Sequence, residues 1–330
     1  MNKLFSLRER FMTQGTLSDP EGIPDPAFSL PATLNWMRAL AILVESEEIG
    51  PTSMSVHFLK IQRTVSSDRA INTVYEQLLM ALHHLSAIRA MQSHPKKIDA
   101  ARSAIVTWYY GIFHSASAMI AAQDGSYQEN HTETANAWDR QFASVGMLPK
   151  PFNYRVSTLV TKDVESEILA IRAGNTHGLD TSPSSTAQAT GACMSYLKGS
   201  AKWRSEFIEQ ELLRREMKKL GLLNFRTKQA RELRDERLAG RSFGFLHQSF
   251  RYRGKANYRE ALFISYGSNI ESQLANFYID LNKVLTAFIS MAGAFCSRRI
   301  GKDAWNDYIL DLIQQTNFTV KVEDVWHSIS

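Results

Sequence analysis

The pattern of apolar and polar residues along the chain is that of a helical protein. Apolar residues recur at spacings of three and four from Leu34 to Glu45 and again from Ala70 to Met91, which is the spacing of one face of an amphipathic helix. No segment shows the sustained alternation of a strand. Helices are predicted over 34–45, 70–91, 100–122, 138–145, 162–173, 187–219, 269–295 and 305–315. The expected fold class is therefore all-α, a helical bundle.

Small residues punctuate the strongly apolar helix predicted over 100–122. Ala104, Gly111, Ser115 and Ala118 keep its surface narrow, so another helix can approach it closely. Glycines are expected to end two helices, because glycine adopts the left-handed backbone found after many helix C-termini. Gly125 follows the apolar helix, and Gly174 follows the helix predicted over 162–173.

The composition divides the chain into four regions. Residues 1–33 contain four prolines among glycine and serine, which disfavours helix and strand and predicts an N-terminal arm. Residues 34–94 are expected to form N-terminal helices, and residues 95–220 a second helical region. Residues 221–330 combine a basic segment with C-terminal helices.

Length and composition restrict the class of protein. The chain has 330 residues, of which 44% are hydrophobic, so a substantial folded core is expected. Only two cysteines occur, and the first residues lack the apolar stretch of a signal peptide, so we expect a cytoplasmic location. The uncharged run from Val284 to Cys296 is shorter than the roughly 20 apolar residues that span a bilayer. No membrane partner is expected.

The positive charge of the chain is concentrated in one segment. The formal net charge is +5, yet residues 201–260 contain sixteen Lys and Arg against eight Asp and Glu, so the remainder is net acidic. Within this segment cations alternate with aromatic rings, a composition suited to neutralising phosphates and stacking bases. The candidate RNA-binding residues are Arg251, Tyr252, Arg253, Lys255, Tyr258 and Arg259. The alternative is that these tyrosines belong to the core and that residues 226–241 form a solvated helix.

Several catalytic motifs are absent or occur in the wrong context. The G-x-S-x-G pattern of residues 240–244 follows a charged helical stretch rather than the buried strand that a nucleophile elbow needs. No Walker loop, dinucleotide fingerprint or H-E-x-x-H element occurs. Adjacent His83 and His84 point to different sides of a helix and suit a surface and a core position better than a metal site. We expect no metal and no cofactor.

One ordered set of motifs carries chemistry. The apolar helix contains Tyr110 and His114 on one face, within Tyr-Tyr-Gly-Ile-Phe-His. A connector with Gly146 and Leu148-Pro149 follows, and then Arg172-Ala-Gly-Asn-Thr-His177. Over residues 95–215 this order resembles the HEPN family. In that family a helix with Tyr and Phe-His, a connector with Gly and Leu-Pro, and an R-x4-6-H element follow one another in the same order.

The R-x4-6-H spacing alone does not select a site, because residues 89–94 and 241–247 also satisfy it. Only Arg172 and His177 follow the connector. On an unbroken helix, residues five apart diverge by about 140°, but Gly174 is expected to end the helix between the two side chains and let them converge. The alternative is an ordinary arrangement of cations at a helix C-terminus.

The resemblance implies a metal-independent endoribonuclease. In RNA the 2′-hydroxyl is an internal nucleophile. His177 is expected to move protons, since an imidazole changes protonation near neutral pH, and Arg172 to hold the phosphate. The products would be a 2′,3′-cyclic phosphate and a 5′-hydroxyl. Many family members carry a polar residue directly after the arginine; this chain has Ala173, with Asn175 as the candidate substitute, and Tyr110 and His114 as further candidates for the same cleft.

Family habit further implies a toxin or antiviral defence effector with RNA as its partner, a homodimer or higher homo-oligomer, and an inhibitory or activating partner protein. Residues 258–267 faintly echo residues 102–111, so the C-terminal third is a candidate for a degenerate second HEPN-like unit. Two other hypotheses stay open. One is a catalytically silent HEPN-like scaffold or regulator that binds RNA or protein, which Ala173 favours, and the other is a helical interaction protein with no nucleic-acid role.

Overall fold

The computed structural model describes residues 30–64, 67–257, 264 and 271–329. Over these residues eleven α-helices account for the architecture, with a single pair of two-residue strands, so the prediction of an all-α bundle is confirmed. The helices are α1 (Leu30–Ser46), α2 (Pro51–His57), α3 (Asp68–Gln92), α4 (Lys97–Asp124), α5 (His131–Trp138), α6 (Thr161–Arg172), α7 (Thr186–Arg215), α8 (Lys228–Ala239), α9 (Phe245–Asn257), α10 (Glu271–Ile300) and α11 (Lys302–Gln315).

Two predicted boundaries are wrong. The N-terminal arm was expected to reach residue 33, but α1 begins at Leu30, and Pro31 fits there because a first-turn residue has no intrahelical use for an N–H. The short helix predicted over 138–145 begins earlier, at His131, and continues as a π-helical turn over Asp139–Ala143. The rest of the predicted arm, residues 1–29, lies outside the described residues.

Helix α4 is the centre of the bundle and packs against α3, α9 and α10. Its small residues make this close packing feasible, as the sequence predicted: Ala104, Ser115 and Ala118 are fully buried. A Cβ built on Gly111 would lie 2.8 Å from both methyl groups of Leu285 on α10. The glycine therefore sets the distance between these two helices.

One hydrophobic cluster runs through the molecule. It extends from Trp36 on α1 to Trp326 near the C-terminus and includes residues from all three of the helical regions that the sequence suggested. Helix α10 contributes a long apolar stretch to this core. Its stretch Gln273–Ile300 is long and apolar enough to cross a membrane by length and composition, but 78% of the window with that composition is buried within the bundle.

A buried ion pair anchors the small sheet. Strand β1 (Arg155–Val156) pairs antiparallel with β2 (Phe243–Gly244). Arg155 donates from Nε and Nη2 to the two carboxylate oxygens of Asp139, each at 2.9 Å, and the Asp139 carboxylate is almost fully buried. Strand β2 falls within the G-x-S-x-G pattern and follows helix α8, so the pattern lacks the preceding strand of a nucleophile elbow.

Candidate active site

The helix that carries Arg172 ends immediately after it. Ala173 and Gly174 both adopt left-handed backbone, with φ of 48° and 83°, and the Asn175 N–H donates to the Arg172 carbonyl at 3.0 Å. A left-handed alanine is uncommon, because its Cβ crowds the backbone. The predicted break between Arg172 and His177 is therefore confirmed, with Ala173 sharing the turn with the glycine.

The guanidinium of Arg172 faces acceptors supplied by the protein. Nη1 donates to the Asn175 carbonyl at 3.4 Å, and Nη2 donates to the Gly191 carbonyl at 3.4 Å. Nη2 also makes a short contact with the Ser195 hydroxyl, while Nε is buried with no hydrogen-bond partner among the described residues. The two carbonyl contacts are longer than the usual 2.7–3.2 Å, so the guanidinium is held in place without being saturated.

The imidazole of His177 is oriented by the same loop. The backbone N–H of His177 donates to the side-chain oxygen of Asn175 at 2.8 Å. The imidazole Nε2 lies 3.2 Å from the Thr181 carbonyl oxygen. Because a carbonyl only accepts, this contact requires the proton on Nε2 and leaves a lone pair on Nδ1. The Ser195 hydroxyl donates to the His177 carbonyl at 3.4 Å. Arg172 and His177 thus share Asn175 and Ser195 as neighbours.

Helix α7 presses directly against this loop. A Cβ on Gly191 would lie 2.5 Å from the Asn175 side-chain oxygen and 3.0 Å from the His177 carbonyl oxygen. The first distance is too short for a real Cβ and the second is tighter than most Cβ contacts, so glycine allows α7 to approach the loop this closely. The position of Arg172 and His177 therefore depends on Gly191, which lies on the next helix along the chain.

A cleft of about 490 Å³ opens beside the loop. Arg172 and Asn175 line it together with Lys150, whereas His177 does not. Burial raises the pKa of Tyr154, which also lines this cleft, to about 12. Two cations and neutral hydrogen-bonding groups border the cleft, although Glu47 contributes one carboxylate to its wall.

Tyr110 and His114 lie in a different cluster. Within the described part of the chain they share no hydrogen bond or ring contact with Arg172 or His177. Arg253 on α9 instead places Nη1 3.3 Å from the Tyr110 hydroxyl and 3.4 Å from His131 Nε2. The expectation that Tyr110 and His114 enter the Arg172 cleft is wrong, because their face of α4 packs against α3, α5 and α9 rather than α6.

This second group, called here the Arg253 cluster, comprises Arg253, Tyr109, Tyr110 and His131. The Tyr109 hydroxyl lies 2.9 Å from His131 Nδ1, and the guanidinium carbon of Arg253 lies 5.3 Å from the Tyr109 ring centre. The half-buried imidazole of His131 bridges the two tyrosines and the arginine. Neither Tyr109 nor His131 is among the site residues predicted from the sequence, although Tyr109 adjoins Tyr110, which is.

Two more histidines border the Arg253 cluster. His114 Nδ1 lies 2.7 Å from the Gln77 side-chain oxygen, and its ring lies 5.3 Å from that of His84 with a 12° interplanar angle. Burial lowers the pKa of His84 and of His114 to about 4. Burial and the nearby Arg253 charge also lower the pKa of His131. At neutral pH these imidazoles are therefore uncharged.

The expected RNA-binding stripe is not an exposed surface. Arg251, Tyr252 and Lys255 are each less than 7% exposed. Arg251 donates to the Gly199 carbonyl at 2.8 Å and Tyr252 to the Thr33 carbonyl at 3.0 Å, because their face of α9 packs into the core. This arrangement removes the Tyr252 ring from any surface on which bases could stack. Arg253 alone among the described candidates is half-exposed; Tyr258 and Arg259 lie outside the described residues.

Two exposed aromatic residues of the basic segment lie instead on α7. Trp203 and Phe207 are 40% and 44% exposed, and their rings are 6.4 Å apart with a 28° interplanar angle. The Arg251 guanidinium covers one of them, 4.6 Å from the Trp203 ring centre. Their i, i+4 spacing was present in the sequence, but the charged surroundings did not indicate which face of α7 leaves the core.

Comparisons with known proteins found no match: no family model, no curated protein and no solved structure is similar to the chain. Among the described residues, no group of three or more His, Cys, Asp or Glu side chains is arranged to hold a metal ion. Both cysteines are buried thiols. The chemistry of the site therefore has to be argued from the arginines, histidines and their neighbours.

Proposed function

We propose that the protein is a metal-independent endoribonuclease that uses Arg172 and His177. One observation carries the proposal: a left-handed helix end brings Arg172 and His177 to one short loop beside a cleft that Arg172 lines, and the Arg172 guanidinium and the His177 backbone share Asn175 and Ser195 as partners. The motif order that resembles the HEPN family supports the same assignment. It is consistent with an arginine and a histidine acting on one phosphodiester.

The geometry of His177 suits a general base. Its Nε2 proton is directed to the Thr181 carbonyl, so Nδ1 is the atom that accepts the proton of the RNA 2′-hydroxyl. The 2′-oxygen then bonds to the adjacent phosphorus, and the bond between phosphorus and the 5′-oxygen breaks as that oxygen takes up a proton from water. His177 afterwards returns its proton to the solvent. The products are a 2′,3′-cyclic phosphate and a 5′-hydroxyl.

Arg172 is suited to hold the charge that builds on the phosphate. Its carbonyl contacts at 3.4 Å are long, and phosphate oxygens form shorter and stronger bonds with a guanidinium. Exchange of these neutral acceptors for a phosphate stabilises the transition state electrostatically. Lys150, on the wall of the same cleft, supplies a second cation near the strand.

The resemblance extends the proposal to the biological setting. We propose a toxin or antiviral defence effector that acts as a homodimer or higher homo-oligomer in the cytoplasm, with RNA as substrate and a partner protein that restrains or activates it. Pairing of two subunits would bring two Arg172 loops to one cleft, as the family arrangement implies. These assignments depend on the resemblance and on no contact within one chain.

A second candidate function is favoured by a specific observation. The Arg172 guanidinium meets three acceptors of its own chain, two carbonyls and the Ser195 hydroxyl, which is also what a purely structural arginine does. A catalytically silent HEPN-like scaffold that binds RNA or protein would keep this brace and lack cleavage. Ala173, in the place of a polar family residue, favours the same alternative.

The test is cleavage in EDTA. Wild type, Arg172→Ala and His177→Ala are incubated with mixed tRNA and mRNA, and the fragment ends are mapped. The expected result is cleavage by wild type that leaves cyclic phosphates and is lost in both variants. Cleavage that persists in either variant removes the site assignment, whereas no cleavage by folded wild type leaves the scaffold as the better description.

The chain offers a matched control for this experiment. Arg89 and His94 also satisfy the R-x4-H spacing, but Arg89 pairs with Asp324 at 3.1 Å and His94 contacts the Lys96 carbonyl on the surface. Arg89→Ala and His94→Ala therefore remove the same residue types at the same spacing outside the proposed site. Both variants should cleave as wild type does.

A further inference from the structure

Among the described residues, the environment of Arg253 contains no negative charge. The side chain is half-buried, and no carboxylate among the described residues lies within ion-pair distance of it. Its Nε is buried without a hydrogen-bond partner in the described part of the chain. Its neighbours are neutral: the Tyr110 hydroxyl at 3.3 Å, the His131 Nε2 at 3.4 Å and aromatic rings. A desolvated guanidinium without a counter-ion is costly.

The Arg253 cluster also contains more hydrogen-bond donors than acceptors. A guanidinium only donates, so His131 Nε2 must accept from Arg253, and the imidazole proton must lie on Nδ1. His131 Nδ1–H then donates to the Tyr109 hydroxyl oxygen at 2.9 Å. The hydroxyl protons of Tyr109 and Tyr110, and most guanidinium protons, are left without an acceptor inside the cluster.

One bound anion would supply the acceptors that the Arg253 cluster lacks. An anion that binds Arg253 takes over its N–H groups and frees His131 Nε2. His131 can then carry its proton on Nε2 and donate it to the anion, while the Tyr109 hydroxyl donates to Nδ1. The Tyr110 hydroxyl gains the same acceptor. The two tyrosine hydroxyls and both imidazole nitrogens of the Arg253 cluster are then partnered, at the cost of one tautomer change.

We propose that the Arg253 cluster is a binding site for the phosphate of a nucleotide, either free or at the end of a strand. Arg253, His131 and Tyr110 contact the phosphate, and Tyr109 orients His131. A tetrahedral dianion offers enough acceptors for these converging donors. The guanidinium carbon of Arg253 lies 4.9 Å from the Phe250 ring centre and 5.9 Å from that of Tyr110, so aromatic surface adjoins the phosphate where a base would lie.

This inference does not depend on cleavage by Arg172 and His177. The two sites share no described residue or contact, so each can fail while the other stands. The experiment avoids RNA for this reason. It uses AMP, inorganic phosphate and a short 2′-deoxy-oligoadenylate with or without a 5′-phosphate, none of which offers a 2′-hydroxyl beside a phosphodiester.

Binding is measured by calorimetry on the full chain, with thermal unfolding as a check on folding. Arg253→Gln should weaken AMP binding by about ten- to a hundredfold, because a hydrogen-bonded charge is lost. Tyr110→Phe, which removes one hydroxyl and keeps the ring, should weaken it by about two- to tenfold. The matched control is Arg102→Gln on the exposed side of α4, whose Nε donates to the Ala256 carbonyl and, among the described residues, to no other acceptor; it should bind as wild type does.

A second readout follows the proposed tautomer change. In ¹⁵N spectra of the histidine side chains, AMP should shift the His131 proton from Nδ1 to Nε2, and the shift should disappear in Arg253→Gln. The proposal is overturned if wild type binds none of the probes, if Arg253→Gln binds equally well or if Arg102→Gln weakens binding as much. Binding of AMP no tighter than inorganic phosphate overturns the nucleotide assignment. Preference for AMP or for the 5′-phosphorylated strand supports it and identifies the source of the phosphate.

Discussion

Arg172 and Arg253 are both half-buried arginines without a carboxylate partner among the described residues, yet their surroundings differ in kind. Arg172 faces acceptors: two backbone carbonyls and a serine hydroxyl. Arg253 faces a tyrosine hydroxyl, a neutral imidazole and aromatic rings. The protein supplies three acceptors to the first guanidinium, although its Nε has none among the described residues, and leaves the second shorter of acceptors.

Arg172 is therefore a charge that the protein holds in position, whereas Arg253 is a charge without enough hydrogen-bond acceptors. Acceptors around Arg172 hold its loop in one conformation, so the charge is already positioned when a substrate arrives. Around Arg253 an incoming anion gains bonds that the protein does not supply. The number of acceptors near a buried cation is therefore more informative than its charge alone, because it distinguishes an arginine that the protein holds in position from one that lacks a ligand.

The largest expected effect separates the two sites by activity. His177→Ala should lower RNA cleavage by about 10²- to 10⁴-fold, the usual contribution of a general base, and leave AMP binding at the Arg253 cluster unchanged. Cleavage rates in EDTA and calorimetry on the same preparation measure both. A parallel loss of cleavage and AMP binding would contradict the separation of the sites.

Acidification should act on the histidines beside Arg253. The pKa of His84 and of His114 is about 4 in the folded protein, below the ordinary value of 6.5. Between these values the unfolded chain binds more protons, so stability is complete above about pH 6.5 and is lost as the pH falls toward 4.

For the pair, partial solvent exposure reduces the expected loss to about 2 kcal/mol. Urea unfolding at pH 8, 6 and 5 measures it, and the double variant His84→Gln, His114→Gln should flatten the curve. Some slope should remain, since burial also lowers the pKa of His247 to about 4. An unchanged slope in the double variant would show that other groups dominate.

Packing of α7 against the Arg172 loop should be sensitive to a single methyl group. Gly191→Ala should destabilise the protein by about 1–3 kcal/mol, as overpacking does, and lower cleavage, because the new Cβ meets Asn175 and His177. Gly199→Ala on the same helix meets nothing within 4 Å and should stabilise by about 0.5–1 kcal/mol. Urea unfolding compares the two, and equal effects would contradict the close packing.

The smallest expected effects come from removing one hydroxyl that contacts each arginine. Ser195→Ala takes an acceptor from Arg172 and a donor from the His177 carbonyl, so it should cost about 1–2 kcal/mol. Tyr110→Phe removes a long, 3.3 Å contact and should cost about 0.5 kcal/mol or less. The reverse order in urea unfolding would contradict the proposed division between satisfied and unsatisfied arginines.

Much of the fold follows from local pattern. The spacing of apolar residues predicted eight helices that the structure contains, and small residues on α4 predicted its close contacts. Helices α2 and α9 were not predicted. The α9 stretch combines cations with buried aromatics, so its pattern favours an exposed stripe as readily as a core helix. Only its packing between α4, α5 and α7 decides between them.

The candidate sites were predictable in part. Gly174 indicated the helix break beside Arg172, and the structure has it. Neither Ser195 nor Gly191 was identifiable, since each lies on α7 and acts on the loop only through tertiary contact. Likewise His131 and Arg253 are 122 residues apart, and no local spacing links them.

The sequence by itself determined the helical class, the break after Arg172 and the residue types available for chemistry, because these depend on interactions between residues close in the chain. The tertiary structure decided which cations are buried and what surrounds them. Arg172 and Arg253 are equivalent as residues, and only the packing of distant helices gives one of them acceptors and withholds acceptors from the other. Burial and hydrogen-bond partners are properties of the assembled core, so the difference between the two arginines emerges only in the folded chain.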